Sequence, residues 1–62
     1  MFDVGKLYRL YFWQEDRRAE LYNCRVVSVE MPLVKFDHRG DELIVNVGSK
    51  GFVKAEPESG SN

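Results

Sequence analysis

Cys24 and His38 are the chain's single cysteine and single histidine, the natural place to look for chemistry. A catalytic histidine would need a nucleophile or carboxylate within hydrogen-bond reach, and Asp37 and Asp41 flank His38. The surrounding pattern argues against that use. Cys24 lies between Tyr22 and Val26 in an apolar run, where cysteine behaves as a small buried hydrophobe. His38 lies in a polar turn, and so short a chain has little material for a cleft that excludes water. One cysteine and one histidine fall short of a zinc set, and no disulfide can form within the chain. The expectation is a non-enzymatic protein with no catalytic residue, metal or cofactor.

Residues suited to binding are more numerous. Leu7, Arg9, Tyr11 and Trp13 fall on one side of an alternating run, and aromatic rings with arginine are the side chains enriched where partners dock. They form the candidate protein-binding or self-association surface. Arg9, Arg17, Arg18 and Arg25 near Tyr11 and Tyr22 could instead line a single-stranded nucleic-acid path, with charge for the backbone and rings for the bases. Glu15, Asp16 and Glu20 are interspersed with them, which favours a solvated face with local ion pairs. Arg39-Gly40-Asp41 spells an integrin-type tripeptide, yet turn chemistry alone accounts for glycine after two polar residues.

The elements that must position these residues read as strands throughout. From Lys6 to Trp13, Tyr8, Leu10 and Phe12 form the core side. Gln14 to Ala19 reads as a broad charged loop. A second strand spans Glu20 to Met31, with Tyr22, Cys24 and Val26 on one side and Val27, Val29 and Met31 taking over the apolar set, a phase change that predicts a bulge near Val26-Val27. Glu30-Met31-Pro32 reads as a turn or as the start of a new strand. Leu33 to Asp37 and Leu43 to Val47 form a hairpin about a three-residue loop, His38-Arg39-Gly40, with Gly40 left-handed. Gly48 to Gly51 is a turn cluster, Phe52 to Ala55 a short closing strand, and the polar segment 57–62 a disordered tail. Tyr8, Leu10, Val26, Val34 or Phe36, Leu43, Val45 and Phe52 are the expected core.

Five short strands, a long charged loop after the first, a tight hairpin between the third and fourth and a turn before an aromatic-led last strand together resemble a Src homology 3-like barrel. Gly48-Ser49-Lys50-Gly51-Phe52-Val53 resembles the single 3₁₀ turn and aromatic-aliphatic pair that open its last strand. The resemblance implies an all-β, five-stranded antiparallel barrel over residues 1–56. The acidic alanine-leucine-tyrosine signature and tryptophan pair of the peptide-binding members are absent, so proline-rich ligands are not implied. Gly5-Lys6-Leu7-Tyr8, Pro32-Leu33, Val45-Asn46 and Phe52-Val53-Lys54-Ala55-Glu56 are similar to a class of small uncharacterised bacterial or phage-borne proteins, from which no activity follows. His38-Arg39-Gly40 followed by Leu43-Ile44-Val45 is similar to the second motif of Sm-like proteins, whose first motif is absent. That similarity implies a nucleic-acid-binding barrel as the alternative function.

Size and charge bound these readings. At 62 residues a chain forms one domain of marginal stability, which a homo-oligomer or a well-packed aromatic core can reinforce. A net charge of −1 argues against a nucleic-acid partner. No segment approaches the roughly 20 apolar residues of a membrane helix, and an unpaired cysteine suits a reducing compartment, so a cytoplasmic protein is expected.

Overall fold

Alternating aromatic and β-branched residues become five antiparallel strands in the structure, a computed structural model that describes residues 2–58. They are β1 (Leu7–Gln14), β2 (Arg17–Glu30), β3 (Leu33–His38), β4 (Asp41–Asn46) and β5 (Phe52–Pro57). The all-β expectation holds, and no helix occurs among the described residues. The barrel does not. The strands form one open sheet in the order β4-β3-β2-β1-β5, and no ladder joins β4 to β5, so the Src homology 3-like and Sm-like resemblances fail at closure. The segment likened to a 3₁₀ turn is two successive β-turns instead, closed by Ser49 N–H to Asn46 O at 3.1 Å and Phe52 N–H to Ser49 O at 3.3 Å.

A single sheet must bend over its own apolar face, and β2 supplies the bends. Val26 stands opposite Phe36 while Ser28 stands opposite Lys35, so Val27 is the extra residue of a bulge where the phase change predicts one. A second irregularity lies earlier in β2. Asn23 takes φ 57°, and the register with β1 slips between Tyr8↔Cys24 and Leu10↔Leu21. Asparagine enters the left-handed region at little cost because its short amide can bond locally. This bulge moves Tyr22 off the side of Cys24 and Val26 and brings Leu21 into its place.

Tyr8, Leu10, Cys24, Val26, Val34 and Phe36 are the buried centre, with Phe2, Phe12, Leu21, Leu43, Val45, Phe52 and Ala55 packed around it. Val34 and Phe36 both belong to it. Phe2 sets its ring edge-on to Tyr8 and Phe36, at centroid distances of 5.2 and 5.9 Å, and so caps the core from outside the sheet.

Two of the three hairpins are tighter than the sequence suggests. Gln14 pairs with Arg17, leaving Glu15 and Asp16 as a two-residue turn with φ 51° and 66°. Positive φ at both central positions is the form whose twist matches paired strands. Arg17 and Arg18 therefore belong to β2 and not to a loop. His38 likewise pairs with Asp41, so Arg39 and Gly40 alone form the second turn, at φ 54° and 88°. At the other end, Pro57 closes β5 and the Glu58 N–H donates to the Leu7 carbonyl at 3.0 Å, so the expected tail starts with two residues tied to the sheet. Its remainder, 59–62, lies outside the described residues.

A Cβ at Gly40 would meet nothing within 4 Å, so substitution there isolates the backbone cost. Gly40→Ala should lower stability by about 1–2 kcal/mol in urea unfolding; an unchanged midpoint would contradict the turn geometry.

Candidate interaction surface

The outward face of β1 carries a polar-aromatic cluster that spans β2, β1 and β5. The Arg9 guanidinium carbon lies 4.5 Å from the Tyr22 ring centroid, while its Nη1 donates to the Tyr11 hydroxyl and its Nη2 to Glu58 Oε1, both at 3.4 Å. The Tyr11 hydroxyl donates to Glu56 Oε1 at 3.2 Å, and Lys54 Nζ sits 5.0 Å from the Tyr11 ring centroid and 3.1 Å from Glu56 Oε2. Tyr22 donates to Glu20 Oε1 at 2.6 Å, and Glu58 Oε2 accepts the Asn23 N–H. The hydrogen bond to Tyr11 first, and then the nearby Glu58 carboxylate, hold the Arg9 guanidinium above its ordinary pKa. Lys54 first and Tyr11 second hold the Glu56 carboxyl below the usual carboxylate range, and the bond to Glu20 raises the Tyr22 phenol.

This network divides the four residues chosen as a docking surface. Tyr11 is buried under the network, Arg9 is engaged within the chain, and Leu7 is half-buried, whereas Trp13 remains 52% exposed. The stripe is therefore no continuous apolar patch. The four arginines do not converge either. Directly opposed residues share a sheet face, so Arg18 opposite Trp13 and Arg25 opposite Leu7 lie on the outward face, while Arg17 opposite Gln14 lies on the other. Arg25 Nη1 donates to the Gly5 carbonyl at 2.7 Å, and Glu20, Glu56 and Glu58 lie among the outward arginines.

Trp13 belongs to a different feature, the gap left where the sheet fails to close. A groove of about 270 Å³ runs between the C-terminal half of β4 and the start of β5, lined by Phe12, Trp13, Ile44, Val45, Asn46 and Phe52 with the turn at Ser49 and Gly51. The Trp13 N–H donates to the Gly51 carbonyl at 2.7 Å and fixes one wall. Ile44, 64% exposed on β4, contributes to the other. Ile44 alternates with the core-packed Leu43 and Val45 and so stands on the outer side of β4. Its signal was an apolar residue on an outward position of a short strand.

Nothing in the sequence signals that Cys24 Sγ lies 3.7 Å from His38 Nδ1. The thiol is fully buried, and burial, with a smaller contribution from Glu58, pushes its pKa up to about 11, the opposite of nucleophile activation. Among the described residues no group of three or more His, Cys, Asp or Glu could hold a metal, and no helix is long and apolar enough to cross a membrane.

Comparison with protein-family models, with curated proteins and with solved structures returned no match.

Two measurements check this description. Native Cys24 should stay unmodified by a thiol reagent at pH 8 and react only in proportion to unfolding; rapid native labelling would place it outside the core. For Glu56, a carboxyl depressed on folding contributes stability above its unfolded pKa and loses it as pH falls through the folded value. Glu56→Gln should therefore flatten the fall of Tm as the pH drops below the ordinary carboxylate range.

Proposed function

We propose that this chain is a non-catalytic interaction module that receives an extended strand at the open side of its sheet. One observation carries the reading: the unpaired β4 edge runs along an apolar groove walled by Trp13 and Phe52. A free edge offers backbone donors and acceptors, and side-chain pockets beside it supply selectivity, the combination used in strand addition. A half-exposed tryptophan at the rim is the kind of ring that dominates binding energy once covered. The buried thiol with its raised pKa supports the non-catalytic part. The acids among Arg9, Arg18 and Arg25, and the placement of Arg17 on the other face, weigh against a nucleic-acid path.

Trp13 is the sole tryptophan, so its emission reports on the groove. Titration with a panel of capped hexapeptides that alternate Val or Ile with polar residues, one of them copying Asp41–Asn46, should give a saturable blue shift with at least one peptide. Trp13→Ala should weaken that binding, read by calorimetry, by more than about 1 kcal/mol without changing the fold. No shift with any peptide, together with emission independent of protein concentration, would overturn the reading.

A further inference from the structure

The strand that fits the β4 edge best is β4 of a second copy of this chain. We infer that two molecules pair antiparallel along β4, with Ile44 opposite Ile44 of the second copy at a two-fold axis perpendicular to the sheet. This inference rests on the strand-addition reading and names its partner.

The backbone fixes the register. The Val47 N–H donates to the Pro32 carbonyl at 2.9 Å, and β3 and β4 pair regularly from Leu33↔Asn46 to His38↔Asp41. Antiparallel hydrogen-bonding direction alternates along a strand. Asp41, Leu43 and Val45 therefore direct their backbone groups to β3, and Glu42, Ile44 and Asn46 direct theirs outward. When two such edges meet antiparallel, the register that pairs all these outward groups sets Glu42 opposite Asn46 of the second copy and Ile44 opposite itself.

The side chains accept the same register. Opposed residues share a face. Outward Ile44 thus meets outward Ile44, and half-buried Leu43 meets half-buried Val45 on the core side. Asn46 already accepts the Gly48 N–H on its Oδ1 at 2.9 Å, so its amide NH₂ is the group left to face the opposing Glu42 carboxylate. No like charges oppose. The second copy's Arg39-Gly40 turn, running on from Asp41, would continue past Asn46 into the groove beside Trp13 and Ser49. The rule that a two-fold interface uses one self-complementary patch is met.

The other free edge fits less well. The Glu58 N–H donates to the Leu7 carbonyl, so Glu56 and Lys54 face β1, and Ala55 and Pro57 face outward. Pro57 has no N–H to give there, a common protection of an exposed edge.

So short a ladder implies a weak, fast-exchanging dimer. Sedimentation equilibrium from about 1 μM to about 1 mM should show monomer and dimer in exchange. Ile44→Pro removes an outward donor and no β3–β4 bond, and should weaken the dimer at least about tenfold with the amide spectrum of the core unchanged. Should that variant unfold, Ile44→Lys sets like charges at the axis and makes the same demand. Opposed Cα atoms in such a pair lie about 5.5 Å apart, within disulfide range. Ile44→Cys under oxidised glutathione should therefore form covalent dimers much faster than Val53→Cys on β5. Association indifferent to both Ile44 variants, or equal cross-linking at residues 44 and 53, would overturn this register and leave the strand-addition reading standing. A wild-type chain monomeric throughout the range would overturn pairing between copies, and the hexapeptide titration then decides the broader reading separately.

Discussion

One sheet without a second layer can shield its apolar face only by bending across it. Everything else in this protein depends on where β2 bends. A straight strand of 14 residues would spread its neighbours too far apart to meet over Leu10 and Phe36. The extra residues at Asn23 and Val27 break it into segments whose apolar sides face a common centre. Bulges increase local twist and turn a strand. Here they also decide which side of the sheet each later residue occupies, including Tyr22, which the first of them sends out to Arg9.

The bending leaves two surfaces of different character. Outside β1, tyrosines, carboxylates, Arg9 and Lys54 bond one another, although the buried Arg9 Nε has no hydrogen-bond partner among the described residues. Where β4 and β5 fail to meet, rings and aliphatic side chains border unpaired backbone. Arginine and tyrosine on a common strand face have the same composition whether they await a ligand or are already engaged. The partners that decide between these cases, Glu56 and Glu58, come from the far end of the chain.

This explains how much was legible in the sequence. Strand identity, the core set, the Val27 bulge and the left-handed Gly40 follow from period, β-branching and glycine, which are local signals. The two-residue turn at Glu15-Asp16 carries no glycine, so its positive φ values leave no mark in the sequence and the charged stretch reads as a broad loop. The Asn23 bulge hides for a related reason, since asparagine is as common in ordinary strand ends and turns. Closure was the larger error. Strand number and turn spacing are the same for an open sheet and a barrel, and only a β4–β5 ladder separates them. The docking stripe inherited both faults. Burial of Tyr11 by residues about 45 positions away and exposure of Trp13 beside an open gap lie beyond local pattern.

The strand order also dictates how the molecule comes apart. β1 to β4 form a meander in which each strand pairs with its neighbour in sequence, while β5 reaches back across the chain to β1. Loop closure makes that last pairing the costliest in chain entropy of the four. Opening of β5 alone would leave the β1–β4 meander paired. Its departure removes Lys54, Glu56 and Glu58 together, strips Arg9 and Tyr11 of those partners and bares the β1 edge. The partly open form thus presents a long, unpaired aromatic strand, and the lifetime of that form sets the protein's exposure to proteases and to aggregation.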